Sequence, residues 1–262
     1  MWGKSAFITE YRGIFVELYI IRHAQSENNA LWHASDDKNH YHNGRSADPA
    51  LTPIGRQQAE LLAEHLAHSK RVMRPATMRL ANYDIHRIFV SPMRRTLETA
   101  RPVAEALGIA PEVHTDIHEA GGVFYRNESG EVIGGCGMTR DEMAAEFPNY
   151  ILPDTVTAQG WWKPEWGEEP RPNLFGRAAR FAHFLRYELL QQQPNAHIAI
   201  IAHGLFNDAL FKALFNNLPG PFHSTHYFYN TAITRINISE SGEAALDFHN
   251  RIEHLPDELM TW

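Results

Sequence analysis

The sequence predicts an α/β fold: a three-layer sandwich in which a mostly parallel sheet carries helices on both faces, with a lid inserted over it. Three observations predict it. "LYII" at 18–21 and "HIAIIA" at 197–202 are continuous apolar runs, without the alternation of a half-solvated strand. Strands buried on both faces have this pattern. Stretches of helical spacing alternate with the strand-like runs, as in parallel sheets covered by helices. The chain has 262 residues, 44% hydrophobic and 21% charged, enough to fill one large core.

The elements follow in order. Residues 14–21, "IFVELYII", form the first strand, and a loop rich in His, Asp and Asn comes next. "LTPIGRQQAELLAEHLAHSK" is a helix with Thr52 as N-cap and Pro53 in the first position. "IHRIFVS", 85–91, is a second strand. "PMRRTLETARPVAEALG" is a helix opened by Pro92 and closed by Gly108, with Pro102 a potential kink. "PEVHT", 111–115, is a short third strand. Residues 120–175 differ in kind: glycines, prolines and Trp161, Trp162 and Trp166 surround one helix, "TRDEMAAEF". This segment reads as a lid with little regular structure, inserted in a single domain spanning 1–262. A helix over 174–193, the strand 197–202 and a helix from His203 follow, with apolar residues at Leu205, Phe206, Ala209, Leu210, Ala213 and Leu214. Residues 226–238 and 244–252 close the sheet.

Composition excludes several classes. No apolar run approaches the ~20 residues of a membrane helix. "MWGKSAFITEYRG" lacks the apolar core of a signal peptide. Cys136 is the single cysteine, so no intrachain disulfide can form. A cytoplasmic protein is expected, without membrane partners. The formal charge of −7 argues against nucleic-acid binding, which needs a basic footprint. A local arginine cluster can still bind a small anion. The oligomeric state is open, a homodimer being one option.

Open α/β sheets bind ligands beyond the C-terminal ends of their strands. Four strand ends here carry polar residues: Arg22-His23; Ser91, with Arg94 and Arg95 just after; His118-Glu119; and His203-Gly204. Singly, each has a plain structural explanation. Together they suit a phosphate: two guanidiniums match its oxygens, and helix N-termini at 24, 92 and 204 would add backbone donors. A neutral imidazole beside these cations can attack phosphorus, and a carboxylic acid can protonate the leaving oxygen.

"RHAQSENN" resembles the Arg-His-Gly signature of the histidine phosphatase superfamily, which includes phosphoglycerate mutases. "LTPIGRQQA", "SPMRRTLETA", "HEAGG" and "IIAHG" are similar to its further motifs, in family order over residues 18–232. The resemblance implies a metal-independent phosphomonoester hydrolase without cofactor, acting on a small phosphorylated substrate through a phosphohistidine. It makes His23 the nucleophile, Glu119 the proton donor, and Arg22, Arg95 and His203 the phosphoryl ligands. Ser26, Asn29 and Gly204 fall at neighbouring ligand positions. Arg95 is preferred to Arg94 because the family's arginine precedes its threonine, here Thr99, by four residues. Ala24 departs from the pattern, replacing the usual glycine. A positive φ there would cost alanine roughly 1 kcal/mol.

Three rival readings share parts of this set. A mutase would use the same residues and return the phosphoryl group to the substrate. A non-catalytic phospholigand-binding protein would normally have lost one of them. A metal hydrolase is suggested by 16 histidines, with His114/His118 and "HSTH" at 223–226 as loosely spaced pairs. His114 and His118 straddle a strand end, where four-residue spacing does not align the rings, so no metal ligands are assigned. In the lid, Trp161, Trp162, Trp166, Phe124 and Tyr125 are expected mainly to pack. Arg126, Arg140, Lys163 and Arg171 are candidates for a second anionic group on the substrate, with solvated surface charge the simpler reading. Asn230 fits either a site-facing or a strand-entry role.

Overall fold

In the computed structural model, residues 15–262 are described except 36–40, 43, 69–71, 74–79, 82, 128 and 217–223. The N-terminal residues read for a targeting signal, Ser69 and Lys70 at the end of the first long helix, and His223 lie outside the described residues. In chain order the elements that build the body are β1 (Phe15–Arg22), α1 (Glu27–Ala34), α2 (Pro53–His68), β2 (Arg87–Val90), α3 (Arg94–Leu107), β3 (Glu112–Val113), β4 (Phe124–Arg126), β5 (Val132–Gly134), α4 (Arg140–Glu146), α5 (Arg171–His183), β6 (His197–Ala202), α6 (Gly204–Leu214), β7 (Ile233–Ser239) and β8 (Ala244–Arg251).

The main sheet has the order β8-β7-β1-β6-β2-β3. β1, β6, β2 and β3 run parallel, while β7 is antiparallel to both β1 and β8. Alternation within the strands creates the layers, because successive side chains point to opposite faces. Val16, Leu18, Ile20, Ile198 and Ile200 pack with Leu174 and Phe181 of α5 and Phe206 and Leu210 of α6. Tyr19, Ile21 and Ile201 pack on the other face with Leu62 of α2 and Leu97 and Val103 of α3. The predicted three-layer arrangement is therefore observed.

The inserted segment shares this second core. Val123, Met138, Met143, Phe147, Val156, Trp161 and Trp162 belong to the same apolar cluster as α2 and α3. Packing is thus the role of Trp161 and Trp162, whereas Trp166 is 52% exposed. The segment is also more regular than the sequence suggested. β4 and β5 form a hairpin, and α4 opens on a capping box between Thr139 and Glu142.

Three boundaries move for identifiable reasons. β3 shrinks to two residues because Ile151 bonds to Pro111 and Val113 along its edge and a 3-10 turn follows at Thr115–Ile117. The helix expected over 174–193 begins at Arg171, widens into a π-type turn at Phe184–Leu189 and ends at Gln192. The strand expected from 226 starts at Ile233, because Thr231 turns the chain at φ 58 while donating its N–H to Arg22 O. α3 continues through Pro102.

α2 is seated against the start of the site. Thr52 caps it, accepting from Gly55 N at 3.0 Å, and donates its hydroxyl to Gln25 Oε1 at 2.6 Å. A Cβ on Gly55 would stand 2.0 Å from Gln25 O, so backbone there approaches backbone too closely for any side chain. Gly55→Ala is expected to destabilise the protein by about 1–3 kcal/mol through this overlap. Thermal unfolding measures it; an unchanged melting temperature would contradict the contact.

Candidate active site

The apolar strands β1, β6 and β2 are neighbours and deliver the polar residues that follow them to one edge of the sheet. β1 ends at Arg22 and passes to His23, which is 3% exposed. The His23 ring is held at both nitrogens. Nδ1 lies 2.7 Å from Ala24 O, a pure acceptor, so Nδ1 carries the hydrogen. Nε2 then keeps its lone pair and accepts from Arg95 Nε at 3.2 Å. Burial, then Arg95, then Arg22 push the His23 pKa well below the ordinary histidine range. The result is a neutral imidazole with Nε2 as its free base.

The backbone around His23 is fastened from three elements. Asn230 Nδ2 donates to His23 O at 2.9 Å. Thr99 of α3 accepts Ala24 N–H at 3.0 Å and donates to Arg95 O at 2.6 Å, joining the segment after β1 to α3. Gln25 N donates to Gln58 of α2 at 2.7 Å. Ala24 is not among the residues with positive φ, and its methyl packs with Leu51 and Ala59. Alanine is therefore accommodated without backbone strain.

Arg95, His203 and Arg22 lie beside the ring. His203 stands 5.2 Å from His23, centroid to centroid. Its Nε2 is 2.7 Å from Ser91 Oγ at the end of β2. A neutral His203 accepting from Ser91 carries its hydrogen on Nδ1, which is buried and has no hydrogen-bond partner. Burial and then Arg95 hold its pKa well below the usual range. Arg22 donates from Nη1 to Phe228 O at 2.6 Å, while its Nε is also buried and unpartnered. Burial lowers the Arg22 pKa to about 10, which leaves it cationic at neutral pH. Arg94 points elsewhere, to Glu146 in α4, so the choice between the two arginines agrees with the geometry.

Glu119 faces the same edge from the loop after β3. Its carboxylate accepts from Ala120 N at 2.8 Å, Phe206 N at 3.0 Å and Leu205 N at 3.3 Å. The amides at the start of α6, expected to be free phosphate donors, are thus occupied by the acid. The other two helices begin later than expected, at Glu27 and Arg94. The loop carrying Glu119 is braced from α5. Arg177 forks onto Glu169 at 2.6 and 2.7 Å and reaches His118 O at 3.0 Å. Burial opposes the charge on Glu169, but hydrogen bonds from Arg177 and His118 prevail and depress its pKa to about 2.

Ser26 and Asn29 lie close by with other duties. Ser26 is the N-cap of α1 in a reciprocal capping box with Asn29, whose Oδ1 also lies 3.5 Å from Asn230 Nδ2. Gly204 opens α6; a Cβ there would sit at an ordinary 3.5 Å from Arg22 Nε.

Four residues escaped the sequence reading or were left open by it. Thr99 enters the sequence reading only as a spacing mark, and Asn230 proves to hold the His23 backbone. Asp48 accepts Arg94 N–H at 3.0 Å and lies 4.0 Å from Arg95 Nη1, its pKa raised by burial to about 6. Arg45 rests over the Phe124 ring at 4.2 Å. Phe124 in turn packs against Gly121, next to the Glu119 loop. The Arg45 Nε is buried and unpartnered, and its guanidinium makes no hydrogen bond or ion pair among the described residues. No sequence signal separates Arg45 from other arginines in polar loops.

The expected cations of the inserted segment are engaged or outward. Arg126 pairs with Glu168 at 2.6 Å, Arg140 binds carbonyls of Leu152, Pro153 and Val156, Lys163 lies over Trp166, and Arg171 is exposed. Of the loosely spaced histidines, His114 packs against Phe181 and Phe89, and His226 bonds Asp208 at 2.8 Å. A cavity of about 1070 Å³ behind the acid loop is lined by His118, Trp161, Trp166 and Arg180, but not by His23, Arg22, Arg95 or Glu119.

Comparison with solved structures finds the same fold. A mycobacterial glucosyl-3-phosphoglycerate phosphatase superposes with a TM-score of 0.54 at 21% identity, covering 91% of this chain and 100% of its own. YhfR of Bacillus stearothermophilus gives 0.55 at 20% identity, with 91% and 98% covered. Phosphoserine phosphatase of Entamoeba histolytica, in complex with 3-phosphoglyceric acid, gives 0.51 at 19% identity, with 92% and 100% covered. A search of the curated proteins finds no match. The family model of the histidine phosphatase superfamily (branch 1) matches residues 18–251. The chain belongs to the histidine phosphatase superfamily, branch 1.

Proposed function

We propose that the protein hydrolyses small phosphomonoesters through a phosphohistidine on His23. The observation that carries this reading is the set of groups around His23 Nε2: a lone pair that accepts from Arg95 Nε at 3.2 Å, and two buried nitrogens without partners, Arg22 Nε and His203 Nδ1. Unpaired buried donors are costly unless a ligand satisfies them. A phosphoryl group offers acceptor oxygens to both and to Arg95.

In the first half-reaction, the Nε2 lone pair forms the N–P bond as the ester P–O bond breaks. Glu119 gives its proton to the departing alcohol. In the second, Glu119 takes a proton from water, the hydroxide attacks phosphorus, and the N–P pair returns to His23. Arg22, Arg95 and His203 bear the transition-state charge. Ser26 and Asn29 act through the cap that shapes α1, and Gly204 as the first residue of α6. The substrate class extends to phosphomonoesters with a second anionic group, for which Arg45 is the unengaged cation at the rim. A cytoplasmic setting fits the single Cys136, which is exposed and free. No helix among the described residues is long and apolar enough to cross a membrane.

His23→Ala should lower p-nitrophenyl phosphate turnover by ~10⁴-fold or more, and Glu119→Gln by ~10²–10⁴-fold, with folding retained by circular dichroism. Turnover should persist in excess EDTA; its complete loss in chelator, or full activity of His23→Ala, would reject the mechanism.

The depressed His23 pKa keeps the nucleophile unprotonated, so kcat/KM should hold to well below pH 6.5, after correction for substrate ionisation. The Asp48→Asn background removes the carboxyl that titrates at about 6. Adding Arg95→Met removes a cation that lowers the His23 pKa, so the acid limb should move up toward 6.5 in addition to the loss of rate. A limb that stays in place would contradict the coupling.

Arg45→Met should raise KM for a carboxylate-bearing ester such as phosphoserine by about tenfold, the worth of one charge-assisted hydrogen bond. The value of kcat/KM for p-nitrophenyl phosphate should change less than about twofold. Equal effects on both substrates would remove Arg45 from substrate recognition.

A further inference from the structure

The opposite end of the sheet holds a cluster that phosphoryl transfer does not use. The N-terminal ends of β6 and β2 lie side by side there, and His86 N donates to His197 O at 2.8 Å. Asp84 Oδ2 stands 3.5 Å from His86 Nε2 and 3.9 Å from His197 Nδ1. The three ligand atoms all lie within 4.8 Å of one another. Tetrahedral ligands bound to zinc at their usual bond lengths are ~3.4 Å apart. The gaps from the Asp84 oxygen to both ring nitrogens are close to that spacing.

Two independent features point to a ligand. The Nδ1 of His197 is buried and has no hydrogen-bond partner, an arrangement native structures rarely leave unexplained. The nearest other carboxylate, Glu17, is 3.9 Å away and is engaged by Arg235 and Tyr19. Asp84 is held at φ 44, in the left-handed region that non-glycine residues seldom occupy. From that turn Asp84 supplies one of the three clustered ligand atoms.

We propose that Asp84, His86 and His197 form a divalent transition-metal site, best matched to Zn²⁺, with water at the fourth position. Two imidazole nitrogens and one carboxylate oxygen suit zinc, whereas magnesium and calcium favour all-oxygen shells. The rings of His86 and His197 stack at 5.0 Å with 19° between their planes. Bringing both lone pairs onto one ion therefore requires His86 to turn about its outer torsion, which is soft, and the side chain is 52% exposed. The site lies the length of a strand, ~20 Å, from His23. Its effect is to clip the connector before β2 to β6, adding stability to the fold without entering the reaction.

The test uses the full chain stripped of metal by EDTA dialysis. Zn²⁺ is titrated by calorimetry, with Mg²⁺ as control, and thermal unfolding is followed with and without Zn²⁺. The parent should bind one more equivalent of Zn²⁺ than His86→Ala or Asp84→Asn, and its melting temperature should rise by several degrees more. Asn accepts a left-handed backbone, so Asp84→Asn removes the ligand without disturbing the turn. Hydrolysis of p-nitrophenyl phosphate should be the same within twofold in all three proteins. Equal stoichiometry and affinity in parent and both variants, or no Zn²⁺ binding by the parent, would overturn the proposal. Either failure leaves the reading of the His23 site standing, because no residue is shared.

Discussion

Buried positive charge without a matching carboxylate is the constraint on which the site depends. Arg95 is 8% exposed, and its nearest carboxylate oxygen lies 4.0 Å away on a group that titrates at about 6. Arg22 makes no ion pair among the described residues and lies beside a neutral imidazole. Such an arrangement is unfavourable in isolation, since desolvated charge is retained only where something compensates it. Burial first, and then the same arginines, suppress protonation of His23 and His203. Parallel strand order supplies the rest: β1, β6 and β2 are neighbours, so their ends deliver Arg22-His23, His203 and Ser91 to one place.

Much of this was legible in the sequence because the relevant signals are local. An apolar run that stops at a charged pair marks a strand end, and Thr52-Pro53 marks a helix start. Trp161 and Trp162 were read as packing residues because large aromatics seldom stay in water. What was not legible depends on chain segments that meet only after folding. Arg45 looks like any loop arginine until Phe124 arrives beneath it. The Asn230 side chain reaches His23 O across 207 positions of sequence. The shortness of β3 reflects an edge taken by Ile151, which no property of "PEVHT" announces. The amides of Leu205 and Phe206 were expected to be free; their capture by Glu119 is a tertiary event. Asp84, His86 and His197 likewise combine two segments, and neither has metal-ligand spacing on its own.

Ser26 shows a residue type serving two plausible ends. A serine three residues after His23 suits a ligand, and a serine three residues before Asn29 suits a helix cap. The capping box claims both its hydroxyl and its backbone N–H. The Arg177–Glu169 pair shows the opposite case, a buried ion pair whose energy goes into shape. It fixes the carbonyls of Asp116 and His118, and with them the exit direction of the chain toward the acid.

The seat of Glu119 on the first amides of α6 has a wider consequence. The residue that caps this helix is His203, so Glu119 and His203 meet at a single helix end. Remodelling of residues 120–175 is not independent of that junction, because Glu119 directly precedes them and Glu169 within them pairs with the Arg177 that holds the His118 carbonyl.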